Sequence, residues 1–192
     1  MNAPISIYTE MTPNPVTMKF VLTFLLIDEE GKSIEFRTKE KAAISPLATK
    51  IFELPYVKGV FITSNFITVT KDESLEWFEV IPEIKELIKA KLALKEPLLN
   101  GELIEEKSEV PVNISGDIEQ KIISILDEYI RPAVEGDGGA IHFKSFENGT
   151  VTVMLKGSCH GCPSTNTTLK MGVQNMLREM LPEVKNVITE TA

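Results

Sequence analysis

Sulfur and imidazole are scarce in this chain: 192 residues hold two cysteines and two histidines. That scarcity excludes a disulfide-stapled framework, and it excludes a four-thiolate site built by one copy. Basic charge is not in excess either, since 20 Lys and Arg face 28 Asp and Glu for a net charge of −8. Without a basic stripe to neutralise phosphates, nucleic acid is not an expected partner. No run approaches the roughly 18 apolar residues of a membrane span, and Met1 to Glu10 show no basic segment leading into an apolar core. These absences lead to the expectation of a cytoplasmic protein that touches no membrane and keeps its thiols reduced.

What is present reads as ordinary globular composition, with 43% hydrophobic and 25% charged residues. The negative charge is unevenly placed: residues 96–117 carry a net −5, against −1 over 1–95 and −2 over 118–192. That middle stretch contains two prolines and two glycines and follows neither helical nor strand period. An unstructured loop of such length is uncommon inside a compact domain, so 96–117 is expected to link two domains, 1–95 and 118–192.

In the first domain, 18–27 and 33–38 read as strands of a hairpin around the turn 28–32. Ser45 and Pro46 supply a cap and a first helical residue, with Leu47, Ile51 and Phe52 at helical spacing until Pro55. A second hairpin is expected from 57–63 and 65–70 through Ser64 and Asn65. A helix over 77–94 places Phe78, Ile81, Ile84, Leu87, Ile88 and Leu92 on one face, with Pro82 as its weak point. The expected order is ββαββα.

The second domain opens on a helix over 118–134 with a stripe of Ile118, Ile122, Ile125, Leu126, Tyr129 and Ile130. Strands 140–146 and 150–155 follow, joined by Glu147-Asn-Gly149, a strong hairpin signal. A helix over 164–181 and a strand over 184–189 complete αββαβ, making the whole an α+β protein of two small domains. The domains echo one another, because a helix ends near Leu54-Pro55 and near Leu181-Pro182, and each passes to a strand through Val-x-x-Val. Shared helix-to-strand punctuation is the simpler reading of that echo, with duplication as the other.

Both cysteines stand in one run, Lys156-Gly-Ser-Cys-His-Gly-Cys-Pro-Ser164. The run joins a strand to a helix, so free N–H groups and the positive end of the helix dipole favour thiolate over thiol. Gly157 and Gly161 let backbone pass close to Cys159 and Cys162, and Pro163 fits the first helical turn, where no donor is needed. Three chemistries compete for such a pair: inert buried thiols, a thioredoxin-like dithiol–disulfide oxidoreductase, and metal binding. The helix and hairpin before the motif differ from the β-α-β unit of a thioredoxin-like site, and no tryptophan directly precedes the first cysteine. The features favour metal. With one cysteine pair per chain, coordination by sulfur alone needs a second protomer.

His160, set between the sulfurs, is expected to point outward, and His142 is expected to be a half-exposed strand residue. Asp137, Gly138 and Gly139 lie between helix and strand. They either support an unusual backbone beside the cysteines or form a simple turn.

These residues carry a family resemblance. Arg131-Pro-Ala-Val-Glu-Gly-Asp-Gly-Gly-Ala-Ile-His-Phe143, with Val151 to Thr165 and Thr168-Leu-Lys-Met-Gly172, resembles the NifU-type C-terminal domain. Thr12-Pro-Asn-Pro-Val-Thr-Met-Lys-Phe20, Ser45-Pro-Leu-Ala48 and Phe66-Ile-Thr-Val-Thr-Lys71 resemble the N-terminal domain of Nfu proteins. The resemblance implies an iron–sulfur cluster scaffold or carrier, not an enzyme. In it, Cys159 and Cys162 of two protomers hold a bridging cluster, usually [4Fe–4S], as four thiolates commonly do. It further implies a homodimer formed through that cluster, upstream cluster donors and recipient apo iron–sulfur proteins. His160 stands where the family often has a small residue, and Thr165 where serine is frequent. The chain lacks the further cysteine-bearing domains of full-length NifU, which implies a late-acting carrier.

Overall fold

The computed structural model describes residues 5–29, 31–100, 116–159 and 163–191, with backbone alone for 163–168. The chain divides into two compact units, Met1–Leu103 and Ile104–Ala192.

The first unit contains β1 (Ile7–Met11), β2 (Thr17–Leu22), β3 (Ser33–Phe36), a 3₁₀ turn (Lys41–Ile44), α1 (Pro46–Ile51), β4 (Val57–Thr63), β5 (Phe66–Lys71) and α2 (Trp77–Ala93). Its five strands pair antiparallel in the order β1-β2-β5-β4-β3. One strand, β1, thus precedes the expected ββαββα series.

The expected hairpin between 18–27 and 33–38 does not form. After Leu22 the backbone donors go to the tip of the β4–β5 hairpin: Leu22 N–H reaches the Asn65 carbonyl at 2.8 Å, and Leu26 and Ile27 reach that of Ser64 at 2.6 and 3.0 Å. Those bonds carry the chain across the hairpin's end, so β3 arrives on the far side of the sheet and pairs with β4.

The face of the sheet toward the helices is apolar at every second residue, as a half-buried strand requires. Phe20, Leu22, Ile62, Ile67 and Val69 meet Leu47, Ile51, Ile84 and Ile88 there. Ser45 caps α1 as expected, its Oγ accepting the Ala48 N–H at 3.2 Å with Pro46 at the first helical position. Helix α2 runs through Pro82 without ending. Its buried stripe is Val80, Ile84 and Ile88, recurring every four residues. Phe78, expected on that stripe, is 76% exposed because two residues of helical rotation turn it away from Val80.

On the opposite face, Lys19 Nζ lies 3.0 Å from the Glu10 carboxylate and 4.6 Å from the centre of the Phe66 ring. Within the expected linker, 101–115 lie outside the described residues. Residues before them stay with the first unit: Leu98 and Leu99 pack on its core, and Asn100 N–H donates to the Ile44 carbonyl at 2.7 Å.

The second unit contains α3 (Asp117–Ile125), a π-helical turn (Leu126–Ile130), α4 (Arg131–Gly136), β6 (Gly139–Glu147), β7 (Thr150–Gly157), α5 (Pro163–Met180) and β8 (Asn186–Thr191). The expected first helix is therefore three consecutive segments. Pro132 offers no N–H to the turn before it, and a wider π turn accommodates the missing bond. Ile122, Leu126, Ile130 and Val134 form the buried stripe, while Tyr129 is 47% exposed rather than part of it.

The β6–β7 hairpin closes through Asn148 and Gly149, with φ of 51° and 81°, the conformation that selects Asn-Gly. A register shift between Phe143 and Ser145 keeps Phe146 opposite Val151, as Phe143 is opposite Val153 and Ile141 opposite Leu155. One extra residue thereby holds three apolar pairs on one face. Strand β8 joins β7 in parallel, giving the order β6-β7-β8. The echo between the domains has a common geometry: Val57 N–H donates to the Leu54 carbonyl at 3.1 Å, and Val184 N–H to that of Leu181 at 3.0 Å.

Candidate metal centre

The cysteine motif lies where β7 gives way to α5. Gly157 ends β7 with φ of 69°, a conformation that costs glycine little. Ser158 and Cys159 follow, and Pro163 is the first residue of α5. His160, Gly161 and Cys162 lie outside the described residues. The side chain of Cys159 is 1% exposed and packs in the same core as Ile141, Leu155 and Val173. A sulfur so enclosed is shielded from solvent.

The turn between α4 and β6 lies against that sulfur. Asp137 N–H donates to the Ala133 carbonyl and Gly138 N–H to that of Glu135, each at 3.0 Å, and Gly138 then takes φ of 82°. That left-handed step aims the carbonyls of Asp137 and Gly138 at the cysteine turn. Ser158 receives both: its N–H donates to the Gly138 carbonyl at 3.2 Å, and its hydroxyl donates to the Asp137 carbonyl.

Gly139 pairs with Gly157 in the hairpin register. A Cβ on Gly139 would stand 2.7 Å from the Cys159 sulfur and 2.7 Å from the Lys156 carbonyl oxygen. Glycine is needed here because sulfur fills the side-chain space.

The structure thus brings Gly139 against Cys159, bonds Asp137 and Gly138 to the adjoining Ser158, and pairs Gly139 with Gly157. The turn is not a simple one, since Gly138 has left-handed backbone and Gly139 is in close approach. Sequence reasoning passed over Ser158. Its signal was a hydroxyl held between a glycine that ends a strand and a cysteine.

His142 stands on β6 opposite Met154, half-buried as expected. Burial, followed by the nearby charges of Lys156 and Arg131, pulls its pKa down to about 4, against a smaller opposing pull from Asp127. Neutral imidazole is the form this site keeps. Arg131 itself pairs with Asp127 one turn earlier. Among the described residues, no three His, Cys, Asp or Glu gather where they could hold a metal ion.

Fold and motif together define a two-domain α+β protein with Cys159 just past the end of a strand and Cys162 next to the first residue of a helix in the sequence. Residues 7–95 match the family model "Scaffold protein Nfu/NifU N terminal", and residues 122–188 match "NifU-like domain". The chain is 40% identical over 184 residues to "NFU1 iron-sulfur cluster scaffold homolog, mitochondrial" of Drosophila persimilis, covering 94% of this chain and 64% of that one. It is 40% identical over 182 residues to the Homo sapiens protein of the same name, covering 94% and 70%. It is also similar to the solution NMR structure of a NifU-like protein from Saccharomyces cerevisiae, at 33% identity and a TM-score of 0.48, over 53% of this chain and 92% of that chain. The chain therefore belongs to the Nfu family of NifU-like proteins. It spans just under two thirds of the length of the fly relatives. No helix among the described residues is long and apolar enough to cross a membrane.

Proposed function

We propose that this chain carries an iron–sulfur cluster as cargo. Cys159 and Cys162 of each of two copies ligate one [4Fe–4S] cluster, receive it from an upstream donor and pass it to recipient apoproteins. The observation that carries this reading is Cys159 just past the end of β7, three residues before Cys162 in the sequence and four before Pro163, where α5 begins. Two thiolates there are half of a tetrahedral sulfur set, and a second copy supplies the other half. The printed names of the relatives, iron–sulfur cluster scaffolds, agree with it.

Hand-over on this reading is ligand exchange. Each incoming recipient thiolate forms one iron–sulfur bond as one bond to Cys159 or Cys162 breaks, with no change in oxidation state. The chain binds and delivers without turning over a substrate, so it is not an enzyme. The first domain serves recognition of recipients, and the cytoplasm is the proposed compartment, although the relatives are named mitochondrial.

Anaerobic loading with iron and sulfide, followed by incubation with an apo [4Fe–4S] enzyme, tests the reading. Activity should appear in the recipient as absorption of the carrier's cluster fades. A chain that takes up no iron but reduces insulin disulfides would show a dithiol oxidoreductase instead.

A further inference from the structure

The enclosed sulfur poses a problem for any cargo. A side chain 1% exposed, in the same core as Ile141 and Leu155, cannot meet a cluster where it stands. Among the described residues, the turn from α4 into β6 lies against it. Gly138 and Gly157 hold the two facing turns in left-handed conformations, at φ of 82° and 69°. Ser158 joins the turns with two hydrogen bonds to consecutive carbonyls, those of Gly138 and Asp137. Gly139 carries no side chain, and the Cys159 sulfur sits so close that a Cβ there would stand 2.7 Å from it.

We propose that Ser158 is a latch. Its two bonds to the Asp137–Gly139 strap hold the Cys159 sulfur closed in the cluster-free chain, and loading passes through an unlatched state in which the sulfur turns outward. The inference rests on the cargo reading above and deepens it, naming the residue that gates access to the ligand. Ser158 is a positioning residue, because it acts through Cys159 and does not itself hold the cluster.

The physical logic is a local opening equilibrium. Freeing the strap costs the hydrogen bond of the Ser158 hydroxyl and uncovers apolar surface around the sulfur. Removing the hydroxyl takes one hydrogen bond from the closed state, a change worth on the order of a 5-fold shift in the open fraction. The closed state keeps the Cys159 thiol from alkylation and oxidation between deliveries.

The test uses the full chain, reduced and free of cluster. Iodoacetamide is added under native conditions, and alkylation of Cys159 is followed by peptide mass spectrometry. Cys159 should react more slowly than in the guanidinium-unfolded chain. Ser158→Ala should speed its alkylation about 5-fold, and Ser158→Thr, which keeps the hydroxyl, should restore slow reaction.

Val187→Ala, in the core of the same unit, separates a latch from general loosening. It should lower the melting temperature without the same acceleration. Equal rates for wild type and Ser158→Ala, or equal acceleration by Val187→Ala, would overturn the latch.

A second arm follows iron uptake anaerobically, where Ser158→Ala should load faster in proportion to its alkylation. Faster alkylation with unchanged loading would overturn the unlatched route. Absence of any cluster in wild type would overturn the cargo reading, while the alkylation arm still decides the closed state.

Discussion

The Cys159 sulfur and Gly139 share one space: a Cβ on the glycine would stand 2.7 Å from that sulfur. Gly139→Ala therefore forces either the sulfur out of its hole or β6 away from β7, since the Lys156 carbonyl is equally close. Overpacking of this kind costs about 1–3 kcal/mol. Urea unfolding of the full chain should show the loss in the second unit and leave the first unit's transition unchanged. Unaltered stability, with Cys159 as unreactive as before, would show that the site has slack.

His142 gives the second unit a pH dependence of defined sign. With its folded pKa lowered to about 4, from an ordinary 6.5, the unfolded chain binds the proton first as pH falls. Stability is then intact above about pH 6.5 and declines from there toward pH 4, with a slope approaching 1.4 kcal/mol per pH unit. Lys156, Arg131 and Asp127 are the charges that act on the imidazole. Comparing urea midpoints at pH 7.0 and 5.0 for wild type and His142→Phe checks this. The pH-linked loss should be smaller in the variant, and NMR should show no His142 titration near pH 6.5.

The phase of α2 predicts a contrast between two of its residues. Ile84 is fully buried and Phe78 is 76% exposed. Ile84→Ala should cost about 2–5 kcal/mol, and Phe78→Ala less than about 0.5 kcal/mol. Equal losses in denaturant unfolding would place the helix in the other phase.

Much of this architecture was legible in local signals. Asn148-Gly149 marked its hairpin because both positions need left-handed backbone, and Ser45-Pro46 marked a helix start because a hydroxyl and a preset φ suit it. What was lost depends on distant partners. The apolar run from Met18 to Ile27 looks like one strand, but its last amides bond the Ser64 carbonyl, nearly forty residues onward. The strand of Ile7–Met11 was missed since only Ile7 of its five residues is buried, so its alternation is faint. Likewise the cysteine turn was evident from Gly157, Cys159 and Pro163, whereas the role of Ser158 depends on carbonyls that α4 and β6 bring to it.

Ser45 offers a direct check on the first unit. Its Oγ accepts the Ala48 N–H at 3.2 Å while the residue is fully buried. Ser45→Ala should lower the stability of the first unit by about 1 kcal/mol. Differential scanning calorimetry of the full chain should show this as a shift in one transition, with the other in place.

The central claim is that one cluster is shared by two copies through Cys159 and Cys162. Sedimentation velocity of the anaerobically loaded chain, with iron and sulfide counted in the same fractions, measures it directly. The account predicts a dimer holding four irons and four sulfides per two chains, lost together in both Cys159→Ala and Cys162→Ala. A loaded monomer, or a cluster that survives the double substitution, would contradict it.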